Sequence, residues 1–354
     1  MQLAWMTGKN VNASPPKATD ESRFVMQYRP LGSSGLLVSP ICLGSMTFGS
    51  PVGKSDAVRL VHHAVDAGIN FIDTADTYEG YDRVLGSAGG IAEKICGAAL
   101  RDRRDRVVLA TKVGAPVGSG PQDRGLSINH IMGQLERSLK YLQTDFIDLY
   151  IPHWPDKETP LETTLNALDM AHRQGKIRCV GMSNHSAAQL CKSLWIADRC
   201  GYLPVAASQI PLSLLKRDFQ HDLDFCAEHN IAVTPYQPLQ AGLLTGKYRR
   251  NQSPPEGSRA AEKPGWMAEM SEPLFDQLEA IEKLATQIDC SLTRYALAWA
   301  LRQPAVKSLV VGAKRAEQID DAVASLAVTI PDEHFEQIDK ICPFPWKQGD
   351  PVRG

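Results

Sequence analysis

Short apolar runs and amphipathic segments alternate along most of this chain. Eight runs read as strands: 38–44, 71–75, 107–113, 146–153, 179–184, 205–210, 232–238 and 308–313. Each is brief and continuously apolar, the pattern of a parallel strand covered on both faces. The segments between them repeat apolar residues at helical spacing. Ala57, Val58, Leu60, Val61, Ala64 and Val65 lead to a stop at Ala67-Gly68, and Ile128, Ile131, Leu135, Leu139 and Leu142 form a second stripe. Leu161, Leu165, Leu168 and Met170 run to Gln174-Gly175, and Leu223, Phe225, Cys226 and Ala227 lie before Asn230. Strand then helix, repeated with short loops, predicts an α/β fold closed into a (β/α)8 TIM barrel. The order alone also suits a large doubly wound sheet. Ahead of the first strand, the stretch from Tyr28 to Ser39 predicts an N-terminal β-hairpin turned at Ser33-Ser34-Gly35.

Residues 1–26 show neither period and read as a flexible N-terminal extension without the apolar core of a secretory signal; Met26 would be a natural start for the folded part. The barrel is expected over 27–342 and a C-terminal tail over 343–354, where Pro343-Phe-Pro-Trp could cover the barrel or a neighbour. Composition changes little: 43% hydrophobic and 22% charged residues describe an ordinary soluble globular chain. Net charge is -2 with no basic block, so no nucleic-acid partner is expected, and no apolar run reaches the length of a membrane span. The eight cysteines include no C-x-x-C pair and suggest free thiols in a cytoplasmic protein. No metal is expected, because His62 and His63 point to different sides of a helix.

Reactive side chains of such a barrel gather at the carboxyl ends of its strands. The second run ends in Phe71-Ile-Asp-Thr-Ala-Asp-Thr-Tyr78, the third carries Lys112, and the fourth ends in His153-Trp154. Each residue has a dull alternative: Asp73 could cap a turn, Tyr78 could rest on the surface, and His153 could be a satisfied core histidine. Lys112 is harder to dismiss, since an unpaired buried ammonium is costly, and Asp73 on the adjacent strand is its obvious partner. Carbonyl reduction would use all four. A free phenol, with a pKa of about 10, is a poor acid, and a neighbouring Lys⁺ should lower that value. Tyr78 would then be general acid and base, Asp73 would hold Lys112, and His153 would be a second donor to the carbonyl oxygen. Electrons must come from a hydride cofactor.

With these motifs in place, the sequence resembles the aldo-keto reductase superfamily, in the branch that includes the potassium-channel β subunits. The resemblance rests on Ile72-Asp-Thr-Ala-Asp-Thr-Tyr, Thr111-Lys and the His153 strand end. It extends to Gly175-Lys-Ile-Arg-Cys-Val-Gly-Met-Ser-Asn184 and Pro235-Tyr-Gln-Pro-Leu-Gln-Ala-Gly-Leu-Leu-Thr-Gly-Lys247. It implies an NADPH/NADP+-dependent enzyme acting on a small-molecule carbonyl or alcohol, with no G-x-G-x-x-G fold. By resemblance Ser183, Asn184 and Gln209 hold the nicotinamide amide, and Tyr236 stacks on its ring. The stretch through Gln237, Pro238, Leu239, Gly242, Leu243 and Lys247 clamps the pyrophosphate. Gly44, Ser45 and Met46 border the nicotinamide alongside Asp73. Gly312, Ala313, Lys314, Gln318 and Asp321 receive the adenine end, with Lys314 and Arg315 as cations for the 2′-phosphate. Asp321 and Ala322 depart from the common Glu and Asn there. Asn184 could instead cap the helix starting near Ser186. The loop 79–90 is longer than in many relatives and, with Phe48 and Trp154, would shape substrate entry. The segment 249–266 reads as a mobile flap, and a cofactor-binding regulatory subunit is the competing function.

Overall fold

A computed structural model describes residues 26–343; the rest of the expected extension and tail lies outside the described residues. Strands β1 (Arg29–Pro30) and β2 (Leu37–Val38) form the antiparallel hairpin, turned through Gly32–Ser34 with Gly35 in the left-handed region. Eight parallel strands follow: β3 (Ile41–Gly44), β4 (Phe71–Asp73), β5 (Val108–Val113), β6 (Ile147–Pro152), β7 (Ile177–Ser183), β8 (Val205–Gln209), β9 (Ala232–Val233) and β10 (Leu309–Gly312). They pair in chain order and β10 returns to β3, with Leu309 opposite Ile41. The remaining gap closes through the Val310 N–H to the Pro235 carbonyl (2.8 Å) and the Lys307 N–H to that of Val233 (2.9 Å). The sheet is therefore a (β/α)8 barrel, not an open doubly wound one.

Each predicted run contains a strand, with two physical corrections. The first run divides at Ser39-Pro40, so Val38 belongs to the hairpin and only Ile41 onward to the barrel. In the seventh run only Ala232–Val233 is strand, because Pro235 and Pro238 have no N–H to donate and Gln237 takes φ +56°. The predicted stripes form helices Lys54–Asp66, Ile128–Leu142, Leu161–Arg173 and Asp222–Glu228. Helices Ile91–Leu100 and Leu292–Leu301 have no counterpart among those stripes. Both bury residues on nearly every side, which erases the stripe.

Alternation along the strands sorts side chains between two cores. Leu109 and Val113 on β5 pack outward beneath the helices, whereas Val108 and Ala110 point into the lumen with Cys42, Phe71, Leu149 and Cys179. Lys112 shares the lumen parity, as does Asp73 two residues after Phe71. The hairpin seals the opposite end. A Cβ on Gly32 would lie 2.1 Å from the Ala206 carbonyl oxygen and 2.7 Å from that of Asn230, near the starts of β8 and β9. Only the carboxyl rim is left open.

Candidate active site

At that rim lies a cavity of about 690 Å³. Its floor is the predicted quartet. Lys112 is buried, and each of its three ammonium protons has an acceptor: Asp73 Oδ2 at 2.6 Å, the Thr74 carbonyl at 2.9 Å and Tyr78 Oη at 3.1 Å. Burial pulls the Lys112 pKa down, but the Asp73 carboxylate and the Tyr78 phenol outweigh it and hold the proton more firmly than in a free lysine. Neither Asp73 nor Lys112 is incidental, since a buried charge with one partner removed costs about 3–5 kcal/mol.

The phenol departs from the expectation. Burial raises the Tyr78 pKa above its ordinary value, and the nearby Lys112 charge, acting in the lowering direction, does not cancel it. Tyr78 therefore keeps its proton at neutral pH, while Lys112 pulls against the burial. The His153 ring meets Tyr78 edge-on at 5.8 Å between centroids and stacks on Trp154 at 6.0 Å. Burial, then the Lys112 and Arg83 charges, hold the His153 pKa well below the usual range, so the ring is neutral at pH 7. Its Nδ1 is buried with no protein partner.

A second network adjoins the quartet at the ends of β7 and β8. Ser183 Oγ and the Asn184 N–H both donate to the Gln209 carbonyl, each at 3.0 Å. Asn184 sits at φ +62°, which turns its amide back so that Nδ2 donates to the His153 carbonyl (2.9 Å). Tyr236 Oη donates to Asn184 Oδ1 at 2.8 Å. The alternative role for Asn184 falls away, because helix Ala187–Cys200 is capped by Ser186 with Gln189 in a reciprocal capping box. Gln209 Nε2 donates to Asp73 Oδ1 at 2.9 Å, joining the two networks.

Beyond Tyr236 the backbone turns tightly. Gln237, Gln240, Ala241 and Gly242 all have positive φ (56°, 45°, 55° and 93°), and the tight loop they make is closed on itself by the Gln240 and Gly242 N–H groups, which donate to the Gln237 and Leu239 carbonyls at 2.9 Å each. Gly242 is favoured there by its φ of +93°, a conformation that L side chains rarely adopt. Burial, then the charges of Lys314, Arg259 and Arg315, lower the Lys247 pKa, as expected where cations crowd around a place for an anion. Pro238, Leu239, Gly312 and Ala313 line the same cavity, as do Gly44 and Met46 toward its floor.

Several predicted contacts need correction. Ser45, Phe48 and Leu243 are buried off the cavity wall; Phe48 packs fully in the outer core and cannot shape substrate entry. Trp154 does line the cavity and is half exposed. Gln318 and Asp321 line it too, but their polar groups are engaged: Gln318 Oε1 accepts from the Lys314 N–H at 2.7 Å, and Asp321 accepts from Arg294 Nε at 2.6 Å. The expected flap is a clasped strap. Its short helix Arg259–Glu262 is capped by Ser258; Arg259 Nε donates to Tyr81 Oη (3.1 Å), and the Trp266 ring meets Tyr81 edge-on at 5.4 Å. Lys314 Nζ ties the strap from the other side, to Glu262 (2.5 Å) and the Gly257 carbonyl (2.9 Å). Tyr81 and Arg259 line the cavity from the loop 79–90 and the segment 249–266, as expected of both; sequence reasoning missed Thr47, Thr293 and Leu297, which carry no signal.

The comparisons agree with this geometry. Residues 40–343 match the Aldo/keto reductase family. The chain is 34% identical over 328 residues to "Uncharacterized oxidoreductase YrpG" of Bacillus subtilis, covering 90% of this chain and 97% of that one. It is 34% identical over 324 residues to a "Probable voltage-gated potassium channel subunit beta" of Oryza sativa subsp. japonica (89% and 95%). It is 31% identical over 340 residues to "Protein tas" of Escherichia coli (89% and 97%). A family match that spans most of the barrel, together with these relatives, shows that the chain belongs to the aldo/keto reductase family of oxidoreductases.

Proposed function

We propose that this oxidoreductase uses NADPH to reduce aldehydes or ketones to alcohols, reversibly, with Tyr78 as general acid and base. The observation that carries the proposal is the Lys112 ammonium 3.1 Å from the Tyr78 hydroxyl on the floor of a deep cavity. When bound, the reduced nicotinamide supplies the hydride. Every other task falls to side chains of this chain. Tyr78 gives its proton to the carbonyl oxygen, while Lys112, held by Asp73, steadies the phenolate left behind. Neutral His153 is the second donor to that oxygen.

The residues fit the cofactor chemically. Ser183, Asn184 and Gln209 offer amide and hydroxyl groups to the carboxamide, and Tyr236 offers a ring face. The cations Lys247 and Arg259 beside the loop after Tyr236 suit a diphosphate, and Lys314 and Arg315 at a helix start suit a 2′-phosphate. The test follows NADPH absorbance with 4-nitrobenzaldehyde. Tyr78→Phe should lower kcat by about 100-fold or more, the range that one general acid contributes, while NADPH binding followed by fluorescence changes little. Normal turnover by the variant would refute the assignment.

A second reading, a cofactor-binding regulatory subunit, draws on the rice relative and on an Arabidopsis thaliana protein of the same description, 32% identical over 313 residues. It predicts tight NADPH binding with negligible turnover of every carbonyl offered.

A further inference from the structure

Gln209 joins the cofactor-side network directly to the chain of contacts from Asp73 through Lys112 to Tyr78. Its carbonyl receives Ser183 Oγ and the Asn184 N–H (3.0 Å each), while its side-chain amide donates to Asp73 Oδ1 at 2.9 Å. Asp73 Oδ2 takes Lys112 at 2.6 Å, and Lys112 reaches Tyr78 at 3.1 Å. Gln209 and Asp73 are both buried on the cavity floor. The register explains the contact. Gln209 ends β8 opposite Ser183 and points into the lumen, across the barrel from β4.

We propose that Gln209 is a positioning residue that locks Asp73 against Lys112 and so couples the nicotinamide seat to the proton donor Tyr78. The inference rests on the reading of Tyr78 as the acid. With Oδ1 held by Gln209 and Oδ2 by Lys112, the Asp73 carboxylate has one orientation, and that orientation fixes the ammonium beneath the phenol. Removing the amide acts twice, and both effects have the same sign. Asp73 loses a donor that offsets its charge, and its negative field disfavours the phenolate. Lys112 also loses its fixed perch, which weakens its pull in the opposite direction. Other groups face the phenol as well: Asp76 from its own loop, His153 at the end of β6 and Tyr236 after β9, while the Cys42 thiol on β3 faces Asp73. None of these touches Asp73 through a hydrogen bond, so they are constant between the variants compared.

The experiment is the pH profile of kcat for 4-nitrobenzaldehyde and NADPH, taken into the alkaline range where Tyr78 loses its proton and reduction slows. Gln209→Leu should move that alkaline midpoint upward by about one pH unit, the scale of one lost hydrogen bond at a buried charge. Gln209→Asn, too short to reach Asp73, should move it the same way and decides the matter if the leucine variant does not fold. Ser183→Ala, which alters the seat but not Asp73, should raise KM for NADPH and leave the midpoint in place. A Gln209 variant with a raised KM and an unmoved midpoint would overturn the coupling while leaving Tyr78 as the acid. Normal turnover by Tyr78→Phe would instead remove the reading beneath it.

Discussion

At the scale of single residues, the site is a set of groups whose charge states are decided by burial. His153 is neutral because an imidazolium would be desolvated beside Lys112 and Arg83, and burial likewise lowers His130 and His185. A histidine with a depressed folded value carries no penalty above its unfolded pKa of about 6.5. Below that, the unfolded chain takes up protons that the fold refuses, so stability drains away as pH falls. The buried carboxyls Asp76 and Glu93, raised by burial, act in the opposite sense through the same range. The comparison must therefore be made between variants. The urea midpoint of His153→Gln should fall less between pH 7 and pH 5 than that of the parent. Equal falls would mean that His153 is protonated freely in the fold. The sign of the Tyr78 shift belongs to this scale too. Its lysine neighbour was legible in the sequence, but the depth of the pocket was not, and depth decides the sign.

At the scale of elements, the cavity is framed by the carboxyl ends of the strands, the positive-φ loop after Tyr236 and the strap. Lys314 holds the strap through Glu262 and Gly257 while facing the cation cluster around Lys247. Lys314→Glu would set one carboxylate against another and turn an attraction for phosphate into a repulsion. The dissociation constant for NADPH should rise about tenfold or more, the scale of one charge-assisted contact, and that for NADH far less. Equal changes would remove Lys314 from the phosphate site. The barrel strands were legible because both of their faces are covered, which leaves an unbroken apolar run. Helices Ile91–Leu100 and Leu292–Leu301 were not, because burial on all sides leaves no period to read. The strap was recognisable only as a segment rich in proline and charge. Its clasp depends on Tyr81 and Arg259, far apart in the chain and joined by no pattern.

At the scale of the whole molecule, the barrel has one open end and one closed end, and the closed end depends on a single turn. Gly32 is at φ +55° with backbone oxygens at 2.1 and 2.7 Å from where a Cβ would stand, and backbone cannot rotate aside. Gly32→Ala should therefore destabilise the fold by on the order of 1–3 kcal/mol, the scale of overpacking a tight site. Turnover of 4-nitrobenzaldehyde at 25 °C should survive, since the rim is at the other end. Thermal denaturation with an unchanged midpoint would show that the hairpin is dispensable to the barrel. The turn's partners, Ala206 and Asn230, come late in the chain. While the protein is being made, the hairpin emerges early and soon meets Gly68 and Asn70 ahead of β4, but the seat of the Gly32 turn is complete only when Ala206 and Asn230 have been delivered. The bottom of the barrel is thus written first and fitted last, since the cluster around Leu31 begins with Val38, Cys42 and Phe71 and is completed only by Ala206, Ala207 and Ala232.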